Sequence, residues 1–386
     1  MKKRIAVLGA TGSIGKSTLD ILRENRDRYE PALFSAHRNR EALLALKGEF
    51  PDAALALSGE YNGGGEIAFW GREGLLRALA DSGADTVVNG IAGAAGLESS
   101  LVALENGADL ALANKETIVM AGPLTLELAA KHDRRILPVD SEHSAIFSLI
   151  NAHGKDSVDE ILLTASGGPF RTYTQAELCS VSPRDALAHP TWNMGPKITI
   201  DSASLANKGL ELIEAVGLFH VPPDRITVVI HPQSIVHSMT RLRDGTVYAA
   251  LSKPDMRLPI QNALSFPECL PCPFGRLEFD ALTLEFEKPD GERFPMLPLA
   301  YEAARQGGLY PAAYNAANEI AVAAFLATTV SFLDIPRIVQ YVLNTHWGEL
   351  GNGTGPGALE AIMETDKRAR LLAEKYIAMY ITEKTR

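Results

Sequence analysis

The chain has 386 residues, of which 46% are hydrophobic and 22% charged, and its formal net charge is −10. This size and composition are typical of a globular protein with two or three domains. The negative charge argues against broad binding to nucleic acid or to anionic lipid. No apolar run has the length of a membrane span, and the apolar stretch after the basic start is too short to predict a signal peptide.

The three cysteines are Cys179, Cys269 and Cys272. Three cysteines cannot build a disulfide framework, and reduced thiols are typical of cytoplasmic proteins. Cys269-x-x-Cys272 is half of a zinc motif, but no second pair stands at the spacing of a zinc ribbon. The pattern therefore favours a cytoplasmic protein with free thiols over a zinc site.

The first part of the chain alternates short β-rich runs with helical patterns. Strands are predicted at residues 4–8, 32–36, 86–88, 110–113 and 135–139, and helices at 16–24, 75–81 and 97–105. Such alternation predicts βαβ units around a parallel sheet. We expect an α/β fold with an N-terminal Rossmann-like parallel sheet at residues 1–140.

The middle of the chain has a different pattern. Strands are predicted at residues 160–164, 198–200, 225–230, 235–241 and 246–251, the last two joined by an Asp244-Gly245 turn, and a helix begins near Ser202. This indicates a central α+β domain at residues 141–266, with a flexible flap near 166–196.

The last part of the chain is predicted to be helical. The proline-rich stretch 267–298 has little periodicity and is typical of an extended linker. Apolar residues then recur at helical spacing in residues 299–306, 312–326, 335–343 and 358–382. A C-terminal helical bundle at residues 299–386 is the simplest interpretation.

A glycine motif lies between the first predicted strand and the first predicted helix. It reads Gly9-Ala-Thr-Gly12-Ser-Ile-Gly15, with G-x-x-G-x-x-G spacing. At such a junction the backbone can approach a pyrophosphate, and the helix N-terminus supplies unpaired N–H groups. A tight turn without a ligand is the alternative, but the strand before the motif and the helix after it favour a dinucleotide site.

The end of the second strand indicates which dinucleotide binds. An NAD enzyme usually has a carboxylate there, whereas this chain has Ala36-His37-Arg38-Asn39-Arg40. The two arginines could pair with a 2′-phosphate. We therefore expect NADP(H) rather than NAD(H), and the alternative is that these arginines are solvated surface residues.

Acidic residues at two places predict a metal site. Asp140 and Glu142 follow a predicted strand and are expected in an irregular turn, where both can face one cation. Glu211 shares a helical face with Asn207 and Lys208. Oxygen ligands suit Mg²⁺ or Mn²⁺. The alternatives are an N-capping aspartate for the first pair and an exposed Lys–Glu pair for the second.

Anion-binding groups are predicted in the same region. Ser202 is interpreted as the N-cap of the helix, and with Asn207 and Lys208 it could hold a phosphate. Ser166-Gly-Gly at a strand end exposes backbone N–H groups. His189 and Trp192 stand in a loop suited to a lid over a substrate. A surface histidine and a core tryptophan are the alternatives for these two residues.

Seven stretches together resemble the 1-deoxy-D-xylulose-5-phosphate reductoisomerase family, in its order and spacing and over nearly the whole chain. They are Gly9–Gly15, Leu112-Ala-Asn-Lys-Glu-Thr117, Leu137-Pro-Val-Asp-Ser-Glu-His-Ser-Ala-Ile-Phe147, Ala165-Ser-Gly-Gly-Pro-Phe-Arg171, His189-Pro-Thr-Trp-Asn-Met-Gly195, Asp201–Glu211 and His231-Pro-Gln-Ser-Ile-Val-His-Ser238. The resemblance implies a homodimeric enzyme of non-mevalonate isoprenoid biosynthesis, inhibited by fosmidomycin. Its reaction joins a metal-assisted rearrangement of 1-deoxy-D-xylulose 5-phosphate to an NADPH reduction that gives 2-C-methyl-D-erythritol 4-phosphate.

The resemblance also implies roles for individual residues. The metal, Mg²⁺ or Mn²⁺, is implied at Asp140, Glu142 and Glu211, which with Lys115 form the catalytic set. Substrate contacts are implied at Lys115, Ser141, Glu142, Ser166, His189, Trp192, Ser202, Asn207, Lys208 and Glu211, with Met256 lining the pocket. Coenzyme contacts are implied at Thr11, Gly12, Ser13, Ile14, His37, Arg38, Asn39, Asn114, Glu116 and Gly195. The family often has glycine where this chain has His37.

Two other functions fit parts of the sequence. A semialdehyde dehydrogenase can begin with the same glycine pattern, but it needs a nucleophilic cysteine, and all three cysteines lie outside the glycine-flanked motifs. An NADPH-binding sensor has no need for Asp140, Glu142 and Glu211. The acidic residues therefore favour the enzyme.

Overall fold

The structure is a computed structural model that describes residues 1–60, 65–192 and 194–384. The chain folds into two compact units. The first comprises Met1–Thr117, Thr125–Ser144 and Asp255–Arg276, and the second comprises Ile118–Leu124, Ala145–Pro254 and Leu277–Arg386. The domain boundaries expected from the sequence stay a prediction.

The first unit is built on one parallel sheet, as predicted. Its strands are β1 (Lys3–Leu8), β2 (Tyr29–Ala36), β3 (Ala54–Leu57), β4 (Phe69–Trp70), β5 (Thr86–Asn89), β6 (Asp109–Leu112) and β7 (Ile136–Pro138). They lie in the order β4-β3-β2-β1-β5-β6-β7, and every pair is parallel. The strand order reverses between β1 and β5, and ligands bind at such a switch point in open α/β sheets.

Among the described residues up to 153, six α-helices occur. They are α1 (Ser13–Glu24), α2 (Arg40–Glu49), α3 (Gly71–Asp81), α4 (Leu97–Glu105), α5 (Lys115–Lys131) and α6 (Ser141–His153). Helices α1, α3 and α4 were predicted from the sequence, whereas α2, α5 and α6 were not. Pro123 stands inside α5, and Ala121 has a non-helical backbone that kinks it. The proline explains why this segment lacks a clean helical signal.

The second unit contains a four-stranded sheet. Its strands are β8 (Val158–Ala165), β9 (Ile226–Ile230), β10 (Val236–Leu242) and β11 (Val247–Leu251), in the order β11-β10-β8-β9. β10 is antiparallel to β8 and β11, whereas β8 and β9 are parallel. The predicted Asp244-Gly245 turn joins β10 to β11, with Gly245 at φ +87°. The antiparallel component is therefore confirmed.

The described residues after 153 form nine further α-helices, and eight of these lie in the second unit. They are α7 (Gln175–Leu178), α8 (Pro183–Ala186), α9 (Pro196–Ser204), α10 (Ala206–Phe219), α11 (Arg257–Ser265, in the first unit), α12 (Met296–Gln306), α13 (Tyr310–Leu326), α14 (Asp334–Leu343) and α15 (Ala358–Lys384). α13 packs on α12, α14 and α15, and its Tyr314 and Phe325 are buried. The predicted C-terminal helices are confirmed.

Four details of the prediction were wrong. Residues 198–200 are not a strand but part of α9, because Gly195 and Pro196 begin a helix before the β-branched run. Ser202 consequently lies inside α9 and caps no helix; Leu205, in a left-handed conformation, separates α9 from α10.

The starts of α6 and α12 also differ from the prediction. Ser141 and Glu142 stand in the first turn of α6 rather than in an irregular turn, and the carbonyl of Asp140 accepts the first hydrogen bond of that helix from Ser144 N. The extended stretch ends at Pro295, because α12 begins at Met296 and includes Pro298. In the part of the chain that the structure describes, no helix has the length and apolarity needed to cross a membrane.

Candidate active site

The glycine motif forms a tight turn between β1 and α1. Gly9 has φ +76°, and a side chain there would meet the carbonyl oxygen of Gly90 at 2.9 Å. At Gly15 a Cβ would lie 2.4 Å from the oxygen of Gly9. The turn and the helix are therefore packed too closely for any other residue. α1 begins at the exposed Ser13, and the first N–H groups of a helix have no partner within it, so they suit an anion.

The candidate 2′-phosphate residues follow β2. His37 and Arg38 are exposed, and His37 Nδ1 lies 3.1 Å from Ser58 Oγ. Asn39 caps α2 by accepting a hydrogen bond from Ala42 N at 3.0 Å. Arg40 begins α2 and lies 3.5 Å from Glu66, whose charge offsets its own. Of the two predicted cations, Arg38 is therefore the better candidate.

A buried polar network supports the carboxyl ends of β5 and β6. Asn114 caps α5, accepting from Thr117 N at 3.1 Å, and its amide donates to the carbonyls of Ile91 and Gly93. Asn89, which the sequence analysis missed, donates to Gly96 O and accepts from Ile91 N. This network holds the loop after β5. Asn114 therefore has a positioning function in the fold beside its predicted coenzyme contact.

Lys115 and Asp140 form a buried ion pair at the edge of the parallel sheet. Lys115 Nζ lies 2.5 Å from Asp140 Oδ2, and the two side chains are 5% and 14% exposed. Lys115 and Glu116 form the first turn of α5, beyond β6, and Asp140 follows β7. The carboxyl ends of neighbouring parallel strands bring these residues together.

Ser141 and Glu142 stand beside this ion pair in the sequence. Ser141 Oγ donates to Glu142 Oε2 at 2.7 Å. Both side chains are half-buried in the first turn of α6. The helix dipole favours a negative charge at this end of α6. The first unit therefore presents two carboxylates and one ammonium group in a short space.

In the second unit, His189 connects two of the predicted substrate-binding serines. His189 Nε2 lies 3.2 Å from Ser166 Oγ and 3.0 Å from Ser202 Oγ. Its Nδ1 accepts hydrogen bonds from Thr191 N and Trp192 N. Nδ1 must therefore be unprotonated, which places the proton of the neutral ring on Nε2. Burial lowers the pKa of His189 and favours the same neutral form.

The two glycines after Ser166 bring this loop onto α9. Gly167 and Gly168 have φ values of +85° and +69°. A Cβ at Gly168 would lie 2.6 Å from the carbonyl oxygen of Ser202. Only glycine lets the Ser166 loop approach Ser202 so closely, and this contact explains the Ser-Gly-Gly pattern.

Asn207, Lys208 and Glu211 share one face of α10, as their spacing predicted. Asn207 Nδ2 donates to Glu211 Oε1 at 2.5 Å, and Lys208 Nζ pairs with Glu211 Oε2. The structure buries Lys208 and Glu211, which are 5% and 1% exposed. This burial excludes the alternative of an exposed surface pair. Burial of both charges is also costly without a function or a compensating partner.

The remaining predicted residues lie at loop and helix ends. Trp192 is half-buried, and its ring centroid lies 6.5 Å from that of His237. Gly195 is the exposed N-cap of α9, and Met256 is the half-buried N-cap of α11 in the first unit. Asn193, part of a motif quoted above, lies outside the described residues.

His231 and His237 belong to the His231–Ser238 motif, but the sequence analysis predicted no function for either residue. His231 donates from Nδ1 to Glu285 O at 2.9 Å and accepts from Ile235 N and Val236 N, so that it fixes the start of β10. Burial lowers the pKa of His237, and hydrogen bonds to backbone groups of Ser252 and Lys253 offset part of this effect. An imidazole hydrogen-bonded through both nitrogens, as at His231, has no distinct sequence signal.

Family models match three stretches of the chain. Residues 5–122 match the model for 1-deoxy-D-xylulose 5-phosphate reductoisomerase, residues 136–219 match its C-terminal domain, and residues 251–372 match a DXP reductoisomerase C-terminal domain. Together they span most of both units. The quoted motifs up to Glu211 therefore fall within or at the edge of matched stretches.

Curated relatives of this chain are named 1-deoxy-D-xylulose 5-phosphate reductoisomerase. The reductoisomerase of Treponema denticola is 48% identical over 373 residues, covering 96% of each chain. That of Chlorobaculum tepidum is 47% identical over 385 residues, covering 97% of this chain and all of the relative.

Solved structures of this enzyme also match. The Zymomonas mobilis enzyme in complex with NADPH has 42% identity and a TM-score of 0.88, covering 98% of this chain and 99% of its own. A DOX-P reductoisomerase in complex with NADPH, fosmidomycin and magnesium has 40% identity and a TM-score of 0.92, with the same coverage. The chain belongs to the 1-deoxy-D-xylulose 5-phosphate reductoisomerase family.

Proposed function

We propose that this protein converts 1-deoxy-D-xylulose 5-phosphate to 2-C-methyl-D-erythritol 4-phosphate, with NADPH as reductant and Mg²⁺ as the metal. One observation carries the proposal: relatives with 46–48% identity over nearly the full chain are named 1-deoxy-D-xylulose 5-phosphate reductoisomerase. A solved relative binds NADPH, fosmidomycin and magnesium. Mn²⁺ is the alternative metal, since it accepts the same oxygen ligands.

The coenzyme is assigned to the turn after β1. The N–H groups at the start of α1 suit its pyrophosphate, and Thr11, Gly12, Ser13 and Ile14 are all at least partly accessible there. Arg38 and Asn39 are assigned to the 2′-phosphate, with His37 beside them. NADPH supplies the hydride, and the protein's contribution is to orient the nicotinamide and exclude water.

The metal is assigned to Asp140, Glu142 and Glu211. The donor set consists of carboxylates alone, which suits a hard divalent cation. Glu211 is nearly inaccessible to solvent, and a carboxylate so buried requires positive charge around it. A cation held by these three carboxylates would supply Lewis-acid chemistry: it would polarise the substrate's ketone oxygen and stabilise negative charge in the rearrangement, for which we propose a retroaldol and aldol route.

The chain's own residues orient the substrate. Ser166, Ser202, Asn207 and Lys208 are assigned to its phosphate, with the Nε2–H of the neutral His189 as a further donor. Lys115, held by Asp140, and Ser141 are assigned to the reacting end. Binding energy from the remote phosphate can then close Trp192 over the site and align the reacting carbons.

A homodimer is the proposed assembly. β11 stands at one edge of its sheet, and its Val247 and Tyr248 are 43% and 40% exposed. The opposite edge strand, β9, is partly covered, because Ile230 and Glu287 exchange two backbone hydrogen bonds. An exposed strand edge with apolar side chains is suited to pairing with a second copy.

The free cysteines agree with a cytoplasmic enzyme.

The decisive test is an absorbance assay at the NADPH band. Purified protein should oxidise NADPH only when 1-deoxy-D-xylulose 5-phosphate and Mg²⁺ or Mn²⁺ are both present. Oxidation that ignored the metal, or no oxidation at all, would contradict the proposal and revive an NADPH-binding sensor. Thiol alkylation provides the control for a semialdehyde dehydrogenase, since it should leave the reaction unchanged.

A further inference from the structure

Asp201 is a buried carboxylate to which neither the reaction nor the sequence gives a function. It stands in α9, directly before Ser202, and only 1% of it is exposed. Asn318 of α13, fully buried, donates from Nδ2 to Asp201 Oδ1 at 2.8 Å. Lys197 Nζ lies 2.9 Å from Asp201 Oδ2. One carboxylate therefore joins two positions of α9 to α13.

The negative charge of Asp201 affects its surroundings in the core. Tyr314, one helical turn before Asn318, has its pKa raised well above the usual value by burial and also by the charge of Asp201. Its hydroxyl donates to Met296 O at 3.0 Å. An apolar contact between α9 and α13 would be easier to build than a buried carboxylate. A charged link is directional, however, and it fixes the register of the two helices.

Lys197 extends this link towards the predicted lid. It is the second residue of α9, immediately after the loop that carries His189 and Trp192. Four residues later in the helix is Asp201, and the next residue, Ser202, meets His189 Nε2. A shift of α9 would therefore move Ser202 away from His189 and change the start of the helix that follows the loop.

We propose that Asp201, with Lys197 and Asn318, is a positioning residue: it holds α9 on α13 so that Ser202 and His189 are aligned for the substrate phosphate. None of the three residues is among those assigned above to the substrate, the metal or the coenzyme. The proposal rests on the proposed function for its kinetic test, but the wild-type assay above decides that function separately. Variants of this link are compared only after the wild type has been shown to be active.

The test is a comparison of Lys197→Met with Lys197→Arg in steady-state kinetics at saturating NADPH and Mg²⁺. Lys197→Met keeps most of the side-chain stem and removes the charge, and it should raise KM for the sugar phosphate about tenfold while kcat changes by less than about threefold. Lys197→Arg should restore KM to within about threefold of the wild type. The Kd of NADPH should stay unchanged in both.

A matched control separates positioning from stability. Asp334 of α14 is also buried and pairs with Arg337 at 3.0 Å, yet α14 carries none of the predicted substrate residues. Arg337→Met should lower the thermal stability and leave KM unchanged. If Lys197→Met fails to fold, Asp201→Asn takes its place, because it keeps the side-chain shape. An unchanged KM in the folded Lys197→Met or Asp201→Asn variant, or an equal rise in Arg337→Met, would overturn the proposal.

Discussion

Lys208 and Glu211, three residues apart on α10, form an ion pair whose side chains are only 6% and 2% exposed. A charged pair so deeply buried contributes little net stability compared with apolar residues of similar size. Its burial agrees with the proposed functions of both groups: the ammonium for an anionic substrate and the carboxylate for a metal.

Turnover should depend on the charge of Glu211. Glu211→Gln keeps the size of the side chain and removes its charge, so kcat should fall by at least about a hundredfold, whereas the Kd of NADPH should change by less than about threefold. Turnover with Mg²⁺ and coenzyme fluorescence measure the two quantities. Asp366→Asn is the control, because Asp366 also pairs with the partly buried cation Arg370 but lies on α15, which carries none of the assigned residues. Near-normal turnover of Glu211→Gln would refute the metal assignment.

Coenzyme preference should depend on Arg38 more than on Arg40. Arg38→Ala removes an accessible guanidinium from the candidate 2′-phosphate site, and the Kd of NADPH should rise about tenfold while that of NADH stays nearly constant. Arg40 is near Glu66, so Arg40→Ala should change either Kd by less than about threefold. Coenzyme titrations measure both constants. Equal losses of preference in the two variants would contradict the ranking of Arg38 above Arg40, and no loss in either would show that the 2′-phosphate binds elsewhere.

The substrate affinity should weaken in acid because of His189. Burial lowers the pKa of His189, so the folded protein holds the neutral ring at neutral pH. The stability that this neutral state contributes is lost as the pH falls, first through the ordinary histidine pKa and then through the lowered one. Protonation of Nδ1 would break its bonds from Thr191 N and Trp192 N. KM measured from about pH 8 to about pH 5.5 should therefore rise towards acid.

His189→Gln separates this effect from the titration of the substrate. Glutamine can donate to Ser166 and Ser202 but does not titrate. The variant should have a higher KM at neutral pH and a flatter profile, which keeps only the contribution of the phosphate monoester. Identical profiles for the variant and the wild type would exclude His189 as the titrating group.

Gly168→Ala should damage the site through one contact. The added Cβ would meet Ser202 O at 2.6 Å, and φ +69° is itself unfavourable for alanine. Gly245→Ala is the matched control, because φ is +87° there and a Cβ would have no other atom within 4 Å. Each should lower the free energy of unfolding by about 1–3 kcal/mol through backbone strain. Only Gly168→Ala should also raise KM; an equal KM effect at Gly245 would contradict this.

The proposed dimer should depend on Val247. Val247→Lys places a charge on the exposed edge strand β11, and charged edge residues prevent strand pairing. Light scattering after size exclusion should give a dimer mass for the wild type and a monomer mass for the variant. Trp70→Lys tests the specificity of this effect, because Trp70 is exposed on the edge strand β4 of the other sheet. A variant that remained dimeric would place the interface elsewhere.

The sequence predicted those parts of the fold whose signal is local. The parallel strands and the C-terminal helices follow from hydrophobic periodicity, and the shared face of Asn207, Lys208 and Glu211 follows from helical spacing. The start of α9 was missed because residues 198–200 are β-branched, and a glycine and proline before them outweighed that preference. α5 was missed because it contains Pro123.

Contacts between distant residues could not be predicted in this way. The glycines after Ser166 suggested an anion-binding backbone, whereas the structure shows that they make room for Ser202. Likewise, Asn89 and Asn318 are ordinary polar residues in the sequence, and only their buried hydrogen bonds show what they do. Such functions depend on which elements pack together, which no short window of sequence contains.

The two short helices before His189, α7 and α8, are each stabilised by hydrogen bonds at their own N-terminus. Thr174 and Glu177 form a capping box at α7, and Ser182 and Asp185 form another at α8. Hydrogen bonds within each box lower the pKa of Glu177 and of Asp185, so both boxes persist at neutral pH. Under the proposed closure of Trp192 over the substrate, the segment that has to be immobilised is therefore short. Since each newly fixed residue costs about 1–2 kcal/mol of backbone entropy, local capping leaves more of the phosphate's intrinsic affinity for turnover.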